Sequence, residues 1–273
     1  MRADDPAPSA PLRYGAYVCI PETDRLARVA GDVQFLVERL GLVNEATGSG
    51  DLTGPALAGA PSQASVGFLR RVAAKPGVIE DDGLLRADAI VHVSAVKAEP
   101  VVELCQSFAQ LMPYPLRVID GAVLPTRYTS HLMHDYAYAH RVLQRPAAEA
   151  PNAFLLPVNK TESWWEMDWM RRHTYFLPRY DEVGRRIADG HVLAAEEGIA
   201  YLMRRTYRQN KEPAPPGVYD FVNYFECADA DVSHFEATCA ALRDIRRNPE
   251  WVFVREGPTW QGRRVERWED LCG

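Results

Sequence analysis

A strand–helix–strand unit occurs twice in this chain, at wide separation. The first copy runs from residues 89–96 (AIVHVSAV) through 99–111 (EPVVELCQSFAQL) to 114–119 (YPLRVI). Val101, Leu104, Phe108 and Leu111 share one face of its helix. The second copy runs from 219–226 (YDFVNYFE) through 232–247 to 251–254 (WVFV), with Phe235, Cys239, Leu242 and Ile245 facing one way. Alternation and helical period are separate signals, and here they recur in the same order. The pattern predicts an α+β fold, a duplicated domain of ferredoxin-like type with helices packed outside antiparallel sheets.

End signals sharpen the second helix. Ser233 and Glu236 are spaced as a capping box, Arg243, Arg246 and Arg247 suit the negative end of the dipole, and Asn248-Pro249 stops the run. Upstream, residues 14–20 read as a strand and 24–40 as an amphipathic helix, with Gly41 at the position after its end. Residues 1–12 are expected to be a disordered tail, and 47–61, rich in Gly, Ser, Pro and Ala, a loop. The expected division is 13–151 for the first repeat and linker and 152–273 for the second repeat, both in one structural unit.

Residues 152–210 carry the unusual chemistry. A strand is expected at 153–158, and Asn159-Lys160-Thr161 turns into a helix through Trp164, Trp165, Trp169 and His173. Pro178 breaks that helix and opens a second one over 179–197, closed by Gly198. Residues 201–209 (YLMRRTYRQ) alternate as a strand. That alternation puts Arg204 and Arg208 on one face and Arg205 on the other.

Charge narrows the partners. Thirty-one Lys and Arg against 37 Asp and Glu leave a net charge of −6, which argues against a broad nucleic-acid or anionic-membrane footprint. The five cysteines form no C-x-x-C pair, so neither a disulfide framework nor a thiolate zinc site follows. No apolar run approaches the length of about 18 residues that a membrane helix needs. The opening MRADDPAPSAPLR lacks an apolar core, so no signal peptide is expected and the expected location is the cytoplasm. Phosphate-cradling glycine loops and the G-x-S-x-G elbow do not occur. His131, His134 and Asp135, with His140 beyond, form a candidate divalent-metal group beside the alternative of surface histidines.

PVNKTESWWEM, the His-bearing segment after it, IAYLMRRTYRQ, YDFVNYFE and RNPEWVFVREGPTWQG together resemble the chlorite dismutase family over about residues 150–262. Members are haem proteins built from two ferredoxin-like repeats per subunit and often assemble as homopentamers. The resemblance implies haem, assumed b-type, held from one side by an axial histidine. His191, among small and apolar helical neighbours, and His173, closer to the tryptophans, are the candidates. It also implies an arginine on the other haem face. Arg208 is the first candidate by count from Asp220, with Arg204 and Arg205 as alternatives. Lys160 matches a lysine near a haem propionate, Trp164 and Trp165 match the pair beside the macrocycle, and Tyr201 joins the expected cofactor-binding set.

Two departures stand out. Coproheme decarboxylases of this family carry a reactive tyrosine where this chain has Leu156, and leucine forms no phenoxyl radical. Chlorite-decomposing members carry an acidic partner for the axial histidine, a position that counting places at Arg247. The expected function is peroxidase-like or oxygen-atom-transfer chemistry on a small molecule or anionic oxidant, in a homo-oligomer. A haem-dependent lyase or dehydratase acting on an N–O substrate and a haem-free binding protein of the same fold are the alternatives.

Overall fold

Strand β1 (Arg13–Ile20) is buried at every position except Tyr14, as a strand covered on both faces must be. Its side chains divide between two cores. Ala16, Val18 and Ile20 enter one, and Tyr17 and Cys19 the other. The computed structural model describes residues 13–23, 26–47, 64–72, 83–125, 129, 131–138, 142–209 and 212–272.

After β1 come α1 (Ala30–Arg39), β2 (Val43–Asn44), β3 (Ser65–Arg71), β4 (Ala89–Ala95), α2 (Ala98–Leu111), β5 (Arg117–Val123) and α3 (His131–Tyr138). The second half holds β6 (Asn152–Lys160), α4 (Glu162–Glu166), α5 (Trp169–Thr174), β7 (Arg179–Tyr180), β8 (Arg186–Ala188), α6 (Gly190–Ala194) and α7 (Glu196–Tyr201). It ends with β9 (Met203–Arg208), β10 (Phe221–Cys227), α8 (Val232–Arg243), β11 (Val254–Glu256) and β12 (Trp260–Val265).

The two halves have one topology. The first runs β5-β1-β4-β3 and the second β9-β10-β6-β12, each the antiparallel order of a ferredoxin-like repeat. Pairing of β3 with β12 and of β5 with β9 closes them into a barrel. Its interior is the second core of β1, where Tyr17, Leu69 and Ile119 of one repeat meet Leu155, Tyr207, Tyr224 and Trp260 of the other. The β5–β9 seam is close at Gly121 of β5, where a Cβ would lie 3.0 Å from the Arg208 carbonyl oxygen. A Cβ on Gly15, in the strand beside β5, would lie 2.1 Å from Cζ of Tyr207.

On the outside the repeats differ. Against the first, α1 and α2 seat Val33, Leu36, Val101, Leu104 and Phe108, and Trp268 and Leu271 complete that layer. Against the second, short helices α6 and α7 stand beside α8 and fill the layer incompletely, leaving a cavity over β6, β9 and β10.

Several expectations shift. The 24–40 helix divides into a 3-10 turn, Leu26–Val29, and α1, and Gly41 ends it at φ +59° as expected. The strand expected at 114–119 forms at Arg117–Val123. WVFV is not the closing strand: Pro249 opens a 3-10 turn, Pro249–Phe253, and β12 supplies the sheet partner instead. The helix expected over 179–197 is the hairpin β7–β8 followed by α6 and α7. The Asp181 carboxylate accepts the backbone N–H of Val183 and Arg185, and Gly184 sits at φ +81°, so turn chemistry overrides the helical reading. Gly198 lies inside α7, where a Cβ would stand 2.9 Å from the Thr238 hydroxyl, rather than after its end. Ser233 lies within α8, which Asp231 precedes without a side-chain cap, so no capping box forms. The tail 1–12, residues 48–61 and His140 lie outside the described residues.

Candidate active site

A cavity lies between the outer sheet face of the second repeat and helices α6 and α8, with about 1490 Å³ of space when the open solvent at its mouth is counted. Leu156, Val158, Arg204, Thr206, Phe221 and Asn223 line it from the sheet, and His191, Ala195, Thr238 and Leu242 from the helices.

His191 is set by its backbone. Gly190 at φ +68° turns the chain into α6, and a Cβ there would meet the Leu177 carbonyl at 2.4 Å. The Gly190 N–H donates to Arg247 O at 3.0 Å and the His191 N–H to Tyr175 O at 3.1 Å. Across from the ring lies Glu250, on the 3-10 turn that Pro249 opens. Its carboxylate is 3% exposed and takes His191 Nδ1 on one oxygen and Lys160 Nζ on the other. The turn after Lys160 is tied to the same segment, since Thr161 N–H donates to Phe253 O at 2.9 Å. Lys160 Nζ also stands 4.4 Å above the buried Trp164 ring.

These charges are coupled. Burial alone would raise the Glu250 carboxyl, but the Lys160 ammonium and His191 outweigh it and hold it well below the usual carboxylate range. Burial lowers the Lys160 ammonium while Glu250 opposes the shift. An ionised Glu250 accepts the Nδ1 proton and thereby fixes the histidine tautomer, leaving a lone pair on Nε2.

The acidic partner of the histidine is therefore Glu250 and not the Arg247 position that counting indicates. Arg247 instead pairs with Asp189 at 2.7 Å on the surface. His173, at the end of α5, is outside the cavity wall. Tyr201 also leaves the expected set: it is 41% exposed and stacks on His234 with centroids 3.7 Å apart. Trp165 stacks on the cavity residue Phe221 at 6.2 Å, with Arg172 over it at 5.1 Å. Among the described residues no group of three His, Cys, Asp or Glu side chains could hold a metal ion, His131, His134 and Asp135 included.

The three arginines of β9 separate as the alternation predicts. Arg205 points into the barrel, where its guanidinium meets Glu45 at 3.5 Å and His92 at 2.9 Å, so it does not serve the cavity. Arg208 faces outward but is held by Glu212, which also stands 3.7 Å from Arg172. Among the described residues Arg204 bonds only neutral partners, Thr206 at 3.1 Å and Asn223 at 3.3 Å. Glu250, Thr206 and Asn223 carried no signal that sequence reasoning used; the one trace of Glu250 is its place just after Asn248-Pro249.

A barrel of two ferredoxin-like repeats is the fold of the chlorite dismutases. A mutant chlorite dismutase from Candidatus Nitrospira defluvii matches with a TM-score of 0.60 at 15% identity, covering 97% of this chain and 98% of its own. The chlorite dismutase of that organism in complex with imidazole matches at 0.59 and 16%, covering 97% and 95%. A mutant in complex with cyanide gives the same figures. No family model matches the chain, and no curated protein matches it by sequence. At such identity the likeness carries the fold, and residue roles rest on this chain's own geometry.

Proposed function

We propose that this protein is a haem-dependent oxidoreductase, peroxidase-like or transferring an oxygen atom, in which His191 would ligate the iron. The observation that carries the reading is the Lys160–Glu250–His191 chain ending on the cavity wall. The residues fit the group. Among the described residues the buried donors Trp165 Nε1, Arg208 Nε and Arg208 Nη1 have no hydrogen-bond partner, and the carboxylates of a haem would satisfy such donors.

When bound, haem supplies the redox chemistry needed to break an O–O or Cl–O bond. This chain's residues do the rest. Glu250 holds the proton at His191 Nδ1, which strengthens the imidazole as an electron donor, and Lys160 keeps Glu250 ionised. Arg204, rather than the Glu212-bound Arg208, supplies the positive charge that attracts an anionic oxidant and stabilises the departing oxygen. Leu156 and Val158 keep that wall apolar, and Leu156 removes the tyrosine that coproheme decarboxylation uses.

The haem-free alternative loses its argument from a missing acidic partner, because Glu250 stands there. No helix of the described residues is long and apolar enough to cross a membrane. A cytoplasmic homo-oligomer, pentameric by analogy with the resembled family, belongs to the same proposal. Titration with hemin tests the reading: the wild type gives a Soret band of histidine-ligated haem at one equivalent per chain. A chain that gives no such band is not this enzyme.

A further inference from the structure

Arg204 differs from the other described cations of the cavity wall and of β9 in what holds it. Lys160 faces Glu250, Arg208 faces Glu212, Arg205 faces Glu45, and Arg243 faces Glu256 at 2.7 Å. Each of those charges is neutralised where it sits. Arg204 instead donates from Nε to Thr206 Oγ1 at 3.1 Å and from Nη2 to Asn223 Oδ1 at 3.3 Å.

The two acceptors are themselves fixed. Thr206 lies two residues along β9 from Arg204, on the same face, and pairs directly with Asn223 across the β9–β10 ladder. Its hydroxyl donates to Asn223 Oδ1 at 3.0 Å. The amide nitrogen of Asn223 donates to Leu156 O on β6 at 3.3 Å, which sets the amide with its oxygen toward Arg204. Three neighbouring strands thus combine to orient one guanidinium. A carboxylate in either position would cancel the charge, and an apolar side chain would leave a long, rotamer-rich arginine unoriented. Two of the five N–H groups of Arg204 are used, so the rest stay available to a ligand.

We infer that Thr206 and Asn223 are positioning residues that hold Arg204 oriented but not neutralised, so that it binds a small anion in the cavity. The inference rests on the functional reading above, which already gives the anion to Arg204, and adds the two residues that orient the guanidinium toward it.

The test compares azide with imidazole, an anion with a neutral ligand, by Soret titration of the hemin-loaded protein. Thr206→Val and Asn223→Ala each weaken azide binding about tenfold, the loss expected from one hydrogen bond to a charged group, and leave imidazole affinity unchanged. Thr206→Ser restores azide binding. Equal weakening of both ligands means a merely structural role, and unchanged azide binding in both variants overturns the inference outright. If the wild type takes up no hemin, the functional reading fails by itself. The positioning claim is then read on the haem-free protein by nitrogen-15 NMR of the Arg204 Nε–H, assigned by its absence in Arg204→Lys. Restricted guanidinium rotation that is released in Asn223→Ala supports it, and rotation indifferent to that substitution overturns it.

Discussion

Glu250 joins His191 to Lys160 through the two oxygens of one buried carboxylate, linking a helix, a 3-10 turn and the last residue of a barrel strand. The three groups depend on each other. Without Lys160 the carboxyl would rise under burial, and without Glu250 the ammonium would be a lone charge 6% exposed.

Removing the central member separates stability from ligation. Glu250→Ala strands the Lys160 ammonium and costs about 3–5 kcal/mol, the range for breaking a buried pair from one side. Glu250→Gln keeps the shape and removes the charge, so the hemin-loaded variant shows a more positive iron reduction potential than wild type. Urea unfolding reads the first effect and spectroelectrochemistry the second. An unchanged potential in Glu250→Gln means that the carboxylate does not tune the histidine.

The two histidine candidates predict opposite outcomes. His191→Ala loses most hemin affinity, because its imidazole faces the cavity, whereas His173→Ala keeps the Soret band. Retention of the band by both variants removes the assignment.

The fold was legible where periodicity alone decides it. The short apolar runs of β1 and β4, the alternation of β10 and the apolar faces of α2 and α8 placed both repeats. What was missed depends on single turns. Val183 and Ile187 fall at helical spacing, yet they are 74% and 57% exposed, because Asp181 and Gly184 close a hairpin instead. Glu250 escaped for a related reason. Counting from a family pattern assumes equal loop lengths, and the turn opened by Pro249 displaces the acid by three residues from Arg247. Alternation did assign the faces of β9 correctly, but the choice between Arg204 and Arg208 turned on Glu212, on a loop that no periodicity reaches.

Neighbouring arginines on β9 should fail in different ways. Arg204→Gln retains the Soret band and reacts with peroxide about a hundredfold more slowly, the usual loss for one preorganised charge donor. Arg205→Met leaves Glu45 without its cation inside the barrel and lowers stability by about 3–5 kcal/mol. Stopped-flow spectra and urea titration distinguish them. Slowing confined to Arg208→Ala would return the role to that residue, and no slowing in Arg204, Arg205 or Arg208 variants would remove the peroxidase-like reading.

His92 makes the barrel interior sensitive to acid. It is 1% exposed, with Nδ1 3.1 Å from Glu45 and Nε2 2.8 Å from the Tyr207 hydroxyl. Burial pushes it down to about 4, with Glu45 opposing and Arg205 reinforcing the shift. An unfolded chain binds a proton at this position near pH 6.5, whereas the folded chain does so only near 4. Between those values the unfolded state holds more protons, so stability falls as pH drops, by about 3 kcal/mol in all, and the loss levels off below 4. The buried carboxyls of Glu45 and Glu250 are held low, so they lose stability only below the ordinary carboxylate range near 4. Burial raises the carboxyl of Glu226 in the same barrel, which acts in the opposite sense above the ordinary carboxylate range, so the histidine is read from the difference between wild type and a His92 variant over about pH 6.5 to 5. Urea unfolding from pH 8 to 5 should show this slope in wild type and a flatter one in His92→Gln, whose amide can still donate to Glu45. Equal slopes in the two proteins would mean that His92 takes up its proton in the folded barrel as readily as in the unfolded chain.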